Sequence, residues 1–264
     1  MYSRLALSAK YLKYLATASS GRGHGVHSPF VYEFIRNVLL DKTEYPEYAK
    51  IENLRSRLLR NETPVPVEDY GAGSAVAAQS KSLAGITRDS SKNKRYAQLL
   101  FRIARYYQPA YVVELGTAAG ISAAYLAAAN PSAVVVTCEG NYALASIARE
   151  NLHSVGLGHV KIVTGNFNNT LQEVVDSIPR VDLAFVDGNH RSKPTVDYFN
   201  KILARRADES LLIFDDIHWS RDMEQAWQQV KAHPSVMLTI DLFFLGLVFF
   251  RPDFKVKQHF TIRF

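Results

Sequence analysis

Short apolar runs alternate with helical patterns from residue 111 onward. Seven runs have the length of strands and cover residues 111–115, 133–138, 160–163, 181–186, 210–214, 236–243 and 246–250. Helical patterns lie between most of them, near residues 120–129, 142–155, 168–177, 192–206 and 220–232. Strands that alternate with helices are typical of a parallel sheet with helices on both faces, and continuous apolar runs suit strands covered on both sides.

The last two apolar runs are joined across Leu245–Gly246, which leaves no room for a helix. Because parallel neighbours need a long crossover, we expect these two runs to form an antiparallel hairpin. The pattern therefore predicts an α/β fold: a doubly wound, mostly parallel, seven-stranded sheet with a C-terminal antiparallel hairpin, plus an N-terminal helical extension.

The first 66 residues carry helical patterns. Four apolar positions share one helical face, and they are Leu5, Ala9, Leu12 and Ala16. This face predicts a helix that packs on the protein, and a helix lying on a membrane surface is the alternative. Ser28 followed by Pro29 favours a second helix start, with His24 and His27 in the loop before it.

A tract rich in Gly, Ala and Ser covers residues 69–93 and predicts a loop. Its segment Asp69–Ser74 looks like a nucleotide-binding turn. Such a turn follows a strand, and no apolar run precedes this one. We therefore expect no nucleotide site there.

The composition indicates a globular protein with a sizeable core, because 47% of the 264 residues are hydrophobic. A single cysteine, Cys138, excludes a disulfide framework and favours a reducing compartment, the cytoplasm. Cys138 lies in an apolar run and is expected to fill the core. The apolar stretch 237–247 is too short to span a bilayer, so no transmembrane segment is expected.

The net charge of +6 is unevenly placed. Residues 1–100 carry 15 Lys and Arg against 9 Asp and Glu, whereas residues 101–264 carry 16 of each. A basic excess can mark a nucleic-acid surface. No aromatic and basic RNA-binding motif accompanies it, so a solvated helical face is the favoured interpretation.

The run that ends at residue 115 leads into a glycine turn. The turn residues are Glu114, Gly116, Thr117, Ala118 and Gly120. A dinucleotide-binding turn has the pattern G-x-G-x-x-G, and the middle glycine lets the pyrophosphate approach the backbone. This chain lacks the G-x-G element, which disfavours a nicotinamide-dependent oxidoreductase.

The remaining pattern, E-x-G-x-x-x-G with Glu139 after the next run, resembles the first motif of the class I S-adenosylmethionine-dependent methyltransferases over about residues 90–250. The resemblance implies S-adenosylmethionine as the cofactor, with its methionine portion and ribose over the glycine turn. It assigns the ribose hydroxyls to Glu139, beside Gly140 and Asn141, and the adenine to Asn166 and Phe167. It also implies residues 91–264 as the methyltransferase domain and 1–90 as a helical cap. The alternative is that Glu114 supports a helix N-terminus and Glu139 is a helix cap.

Two acidic clusters follow later apolar runs, at Asp187 and at Asp215–Asp216. The carboxyl ends of parallel strands meet at one edge of a sheet, where ligands of open α/β folds bind. Carboxylates suit a hard divalent cation such as Mg²⁺. The pattern predicts a metal site formed by Asp187, Asp215 and Asp216, with Asp187 also near the cofactor.

These clusters resemble the metal site of catechol-O-methyltransferase-like and caffeoyl-CoA-type O-methyltransferases. The resemblance implies O-methylation of a hydroxyl on a small molecule, assisted by a divalent cation. Two positions depart from the family: Asp216 replaces an Asn, and His190 stands where the catalytic lysine is expected. A histidine can act as a general base near neutral pH, so the predicted catalytic residues are His190 and Asp187, with Lys193 as the alternative base.

Two other functions stay open at this point. One is a nucleic-acid or protein methyltransferase that uses the basic N-terminal region, and the other is a non-catalytic cofactor-binding protein of the same fold. The C-terminal end is rich in aromatic residues, namely Phe249, Phe250, Phe254, Phe260 and Phe264. We expect this end to be exposed and to pair with a second copy of the chain.

Overall fold

The structure is a computed structural model that describes residues 1–67 and 79–264. The segment Asp69–Ser74 lies outside the described residues. Two compact units make up the chain: a central unit of residues 42–177 and a terminal unit of residues 1–41 and 178–264. The predicted division of the chain between residues 90 and 91 stays a prediction.

The helices, in chain order, are α1 (Arg4–Thr17), α2 (Pro29–Phe34), α3 (Pro46–Leu58), α4 (Leu83–Ser90), α5 (Lys94–Tyr107), α6 (Ile121–Ala129), α7 (Tyr142–Ser154), α8 (Phe167–Asp176), α9 (Ser192–Leu203) and α10 (Arg221–Ala232). A π-helical turn, Ile35–Leu39, continues α2. The strands are β1 (Pro64–Val67), β2 (Gln79–Ser82), β3 (Tyr111–Leu115), β4 (Val134–Glu139), β5 (Lys161–Thr164), β6 (Val181–Val186), β7 (Arg206–Asp215), β8 (Leu238–Asp241), β9 (Leu245–Phe249) and β10 (Gln258–Thr261).

The central unit contains three parallel strands in the order β3-β4-β5. Strands β3 and β4 are almost wholly buried, in agreement with their mostly apolar sequences. Strands β1 and β2 form a separate antiparallel hairpin. The predicted loop over residues 69–93 is therefore wrong for β2 and α4. The Ser82 side chain caps α4 by accepting the N–H of Gly85.

The terminal unit contains five strands in the order β10-β8-β9-β7-β6. Strands β6 and β7 are parallel, and β9 runs antiparallel to both β7 and β8, which confirms the predicted hairpin. Strand β10 pairs in parallel with β8, so the hairpin is not the edge. The doubly wound, mostly parallel α/β class is confirmed. In the residues that the structure describes, the two units contribute three and five of these strands, eight instead of the predicted seven. Strand β10 escaped prediction because its residues alternate between half-buried and exposed and form no apolar run.

The N-terminal helix packs through the opposite face from the one predicted. Leu5 is 85% exposed and Leu12 is 65% exposed. The buried face presents Tyr14, whose ring lies 5.3 Å from that of Phe243. Large aromatic rings bury more apolar area than the Leu and Ala positions, and this outweighs the regular spacing of the latter. Among the described residues, no helix is long and apolar enough to cross a membrane.

The predicted exposure of the C-terminal aromatic residues is wrong. Phe249, Phe250 and Phe264 are buried, and the other two are half-buried. The ring of Phe30 packs edge-on against Phe249 at 5.0 Å and Phe254 at 5.1 Å. These rings are part of the core of the terminal unit. The expected homodimer was based on their exposure, so that argument no longer supports it.

Candidate functional site

The glycine turn after β3 has an unusual backbone. Gly116 and Gly120 adopt φ values of 100° and 88°, and Ala118 between them adopts 45°. Only glycine takes such angles without a steric cost, which explains both glycines of the motif. The N–H of Gly120 donates to the carbonyl of Thr117 at 2.8 Å, and α6 begins directly afterwards.

Strand β4 holds this turn in place by accepting the backbone N–H groups of three consecutive turn residues. The carbonyl oxygen of Cys138 accepts the N–H of Gly116 at 2.9 Å and that of Thr117 at 3.2 Å. The N–H of Ala118 donates to Oε2 of Glu139 at 2.8 Å. The Cys138 thiol is buried, and burial raises its pKa to about 12, so Cys138 is an inert core residue as expected.

A buried chain of hydroxyl groups connects the turn to Glu114. The Oγ1 atoms of Thr117 and Thr137 lie 2.6 Å apart, and Thr137 donates to Oε2 of Glu114 at 2.5 Å. Because the only proton of the Thr137 hydroxyl goes to the carboxylate, Thr117 is the donor in the first bond. Burial raises the pKa of Glu114 to about 7, although hydrogen bonds from Ser122 and Thr137 oppose the shift.

Glu139 lies at the end of β4 and is only 8% exposed. Its Oε1 accepts the N–H of Asn141 at 2.9 Å. Burial raises the pKa of Glu139, and backbone N–H groups of Asn141, Ala118 and Gly140 hold the rise back. The residue that caps α7 is Asn141, whose Oδ1 accepts the N–H of Leu144, so Glu139 is not the helix cap.

The predicted adenine-contacting residues come after β5. The carbonyl of Glu139 accepts the N–H of Gly165 at 2.9 Å, which ties this loop to the end of β4. Asn166 caps α8 through the N–H of Asn168, and Phe167 is the half-buried first residue of that helix. Tyr142, whose ring is 67% exposed at the start of α7, was not among the predicted residues. Its position three residues after Glu139 was the available signal.

In the terminal unit, three predicted side chains converge after β6 and β7. Ligand atoms of Asp187, His190 and Asp215 all lie within 4.8 Å of one another. Asp215 is buried, whereas the side chain of His190 is 36% exposed. Asn189 has a φ of 57°, and this left-handed residue turns the chain between Asp187 and His190. We call Asp187, His190 and Asp215 the Asp–His–Asp cluster.

The two other predicted residues lie differently. Oδ2 of Asp216 is 3.9 Å from Nδ1 of His190, and the Asp216 backbone is fixed by donating its N–H to the carbonyl of Phe244. Asp216 is thus a neighbour of the Asp–His–Asp cluster. Lys193 is exposed on the first turn of α9 and is not part of the cluster.

The remaining histidines of interest have other roles. Nδ1 of His218 lies 3.1 Å from Glu224, and its Nε2 lies 2.7 Å from Asp241. Burial alone would lower the pKa of His218, but these two carboxylates raise it overall. His218 therefore anchors the loop after β7. His24 and His27 are exposed before α2, in the loop where they were expected.

Comparison with known proteins identifies a family profile and solved structures that the chain resembles. Residues 113–217 match the sequence profile of a methyltransferase-domain family. No curated protein sequence matches the chain. Three solved structures share the fold. A methyltransferase from Podospora anserina bound to S-adenosylhomocysteine is 14% identical (TM-score 0.58, 95% of this chain and 97% of that chain). The O-methyltransferase TomG from Streptomyces achromogenes is in complex with S-adenosylmethionine and is involved in tomaymycin synthesis. It is 18% identical, with a TM-score of 0.56 over 84% of this chain and 95% of that chain. An O-methyltransferase from Bacillus cereus in complex with S-adenosylhomocysteine is 18% identical, with a TM-score of 0.54 over 83% of this chain and 97% of that chain.

At these identities the structural matches establish the fold, and the profile match covers the segment from the glycine turn to the loop after β7. The chain therefore has the fold of these methyltransferases, with a methyltransferase-domain match over residues 113–217.

Proposed function

We propose that the chain methylates a hydroxyl group of a small molecule, with S-adenosylmethionine as the methyl donor. The observation that carries the proposal is the position of Glu139, which holds the glycine turn and the start of α7 at the same time. Bound S-adenosylmethionine supplies an electrophilic methyl group on a sulfonium centre.

The residues at the end of β4 fit the nucleoside part of the cofactor. A carboxylate has about four lone-pair sites, so Glu139 keeps acceptor capacity after binding the N–H groups of Ala118 and Asn141. Two vicinal ribose hydroxyls are donors that match this capacity. The side chain of Asn141 has a structural role instead, since it accepts the N–H of Leu144 and donates to the carbonyl of Pro66.

The exposed ring of Tyr142 and the half-buried ring of Phe167 begin α7 and α8, respectively. Aromatic rings bind a planar base by stacking and bury its apolar faces. These two residues and Asn166 form the proposed adenine end of the cofactor site. The glycine turn, with Gly116 and Gly120, is the proposed seat of the methionine portion.

The Asp–His–Asp cluster is the proposed acceptor site. A hydroxyl oxygen becomes a nucleophile when its proton is removed or when a bound cation stabilises the oxyanion. The cluster offers carboxylate and imidazole groups for the first route and ligand atoms for the second. Lys193 is the less favourable base because it is exposed and outside the cluster.

Calorimetric titration of the whole chain with S-adenosylmethionine, with NAD as the competing cofactor type, tests the first half of this proposal. Saturable binding of S-adenosylmethionine alone is expected. Transfer of a labelled methyl group to a panel of small hydroxyl, thiol and amine compounds tests the second half. The absence of S-adenosylmethionine binding would remove the proposal.

The alternative acceptors are outcomes of the same assay. Labelling of RNA or DNA in preference to every small hydroxyl compound, with binding that weakens steeply as salt increases, would indicate a nucleic-acid methyltransferase. Cofactor binding with no transfer to any acceptor class would favour the non-catalytic interpretation.

A further inference from the structure

We propose that Nε2 of His190 is a metal ligand and that Asp216 is the outer carboxylate that orients it. On this proposal the Asp–His–Asp cluster selects a divalent transition metal over Mg²⁺. The inference deepens the proposed function, since it concerns the same acceptor site. It explains the two departures from the related O-methyltransferases, His190 and Asp216, as one joint change.

The geometry of His190 is the first observation that supports the proposal. Its two ring nitrogens face different carboxylates: Nε2 lies 3.7 Å from Oδ1 of Asp187, and Nδ1 lies 3.9 Å from Oδ2 of Asp216. Both separations exceed the usual hydrogen-bond range. A direct bond is therefore not what places the imidazole next to Asp187.

The separations within the cluster are those of atoms that share an ion. Two ligands bound at about 2.1 Å to one cation are about 3.0 Å apart when adjacent and about 4.2 Å apart when opposite. The Nε2–Asp187 distance of 3.7 Å falls inside this range. All three ligand atoms lie within 4.8 Å of one another.

The position of Asp216 is the second observation that supports the proposal. A histidine that binds a metal through one nitrogen commonly donates the other N–H to a carboxylate, which fixes the tautomer and makes the ligand more basic. Oδ2 of Asp216 is on the Nδ1 side of His190, where this partner is needed. The residue is also held firmly, because its φ of 54° and its N–H bond to Phe244 set its backbone.

The chemical types of the ligand side chains are the third observation that supports the proposal. Mg²⁺ prefers oxygen ligands only, whereas Mn²⁺, Fe²⁺, Co²⁺ and Zn²⁺ readily accept an imidazole beside carboxylates. Imidazole and carboxylate ligands occur together in non-haem iron sites, where two histidines and one carboxylate bind the metal. The side chains present here therefore fit a divalent transition metal better than Mg²⁺.

The test uses the whole chain after treatment with a chelator, in the absence of cofactor and acceptor. Binding of Mn²⁺ is followed by electron paramagnetic resonance, with ¹⁴N modulation as the sign of an imidazole ligand, and Co²⁺ by its visible absorption. We expect ¹⁴N modulation in the wild type and its loss in His190→Ala. Asp216→Asn should weaken Co²⁺ and Mn²⁺ binding by about 10- to 100-fold, the usual effect of removing an outer partner.

His24→Ala is the matched control, because it removes an exposed imidazole outside the cluster. It should leave metal binding unchanged. Mn²⁺ bound without ¹⁴N modulation, equal Co²⁺ affinity in His190→Ala, preference for Mg²⁺ or no metal binding at all would each overturn the inference. None of these results would affect cofactor binding in the central unit, so the proposed function can fail or survive separately.

Discussion

The carboxylate of Glu139 accepts the backbone N–H of Ala118 at 2.8 Å, across the gap between two neighbouring parallel strands. The residue proposed to bind the ribose is therefore also a structural support of the glycine turn. Ala118 has a left-handed backbone, which costs a non-glycine residue about 1–2 kcal/mol. The bond to Glu139 helps to offset that cost, so cofactor binding and turn conformation depend on the same side chain.

Glu139→Gln should weaken S-adenosylmethionine binding by about 10- to 100-fold. The amide replaces one acceptor oxygen with an NH₂ group that faces a backbone N–H, and hydrogen bonds to charged groups contribute about 1.5–3 kcal/mol. Isothermal titration calorimetry measures the change in Kd. Glu150→Gln, on an exposed position of α7, is the control and should bind like the wild type. Equal affinity of both variants would show that Glu139 does not bind the cofactor.

Thr137→Val should destabilise the chain by about 1–3 kcal/mol, because it removes a buried hydroxyl that both accepts and donates a hydrogen bond. Thr117 then loses its acceptor and Glu114 loses a donor. Guanidinium-induced unfolding measures the change in the free energy of unfolding. Thr137→Ser keeps the hydroxyl and should retain most of the stability. If the Val and Ser variants are equally stable, the hydroxyl chain does not contribute.

The strands that could be predicted are those with a simple physical signature. Runs such as β3 and β6 are mostly apolar because both faces of each strand are covered. β1 and β2 could not be predicted in this way, since one contains two prolines and the other is polar. The buried face of α1 could not be predicted either. Periodicity shows that a helix has an apolar face, but it does not show which face finds an aromatic partner.

The site was predictable where the residue type itself carries the chemistry. Glu139, the two glycines of the turn and His190 were proposed from a resemblance in motif spacing, and Asp187 and Asp215 from their positions after strands. Thr137 could not be recognised, because a threonine inside an apolar run is an ordinary strand residue. Its role depends on the register that sets it opposite Glu114, which only the paired strands reveal.

Tyr14→Phe should lower the thermal unfolding midpoint, since it removes the hydroxyl that connects α1 to the C-terminal segment. That hydroxyl donates to the carbonyl of Ile262 and accepts the N–H of Phe264 at 3.0 Å. Two buried backbone groups lose their partner, at a cost of about 1–3 kcal/mol. Differential scanning calorimetry measures the midpoint. Tyr32→Phe, at an exposed ring, should cause little change, and an equal decrease in both variants would contradict this role of Tyr14.

Glu114 makes the stability of the protein depend on pH in a defined direction. Burial raises its pKa from 4.5 to about 7, so between these values the folded state retains a proton that the unfolded state has lost. Stability therefore decreases as the pH increases wherever the native state binds more protons. The stabilising contribution is complete below about pH 4.5 and is lost as the pH approaches about 7.

Replacing Glu114 with Gln should remove this dependence. A shift from 4.5 to about 7 corresponds to about 3 kcal/mol at 1.36 kcal/mol for each pH unit. We expect the stability of the wild type relative to Glu114→Gln to decrease by this order of magnitude from pH 4.5 to 7 and to stay constant above pH 8. Urea unfolding of the cofactor-free chain at several pH values measures both curves. Glu173→Gln, at an exposed position of α8, should instead run parallel to the wild type. Parallel curves for Glu114→Gln as well would mean that Glu114 is already ionised at low pH, and that the hydrogen bonds from Ser122 and Thr137 outweigh its burial.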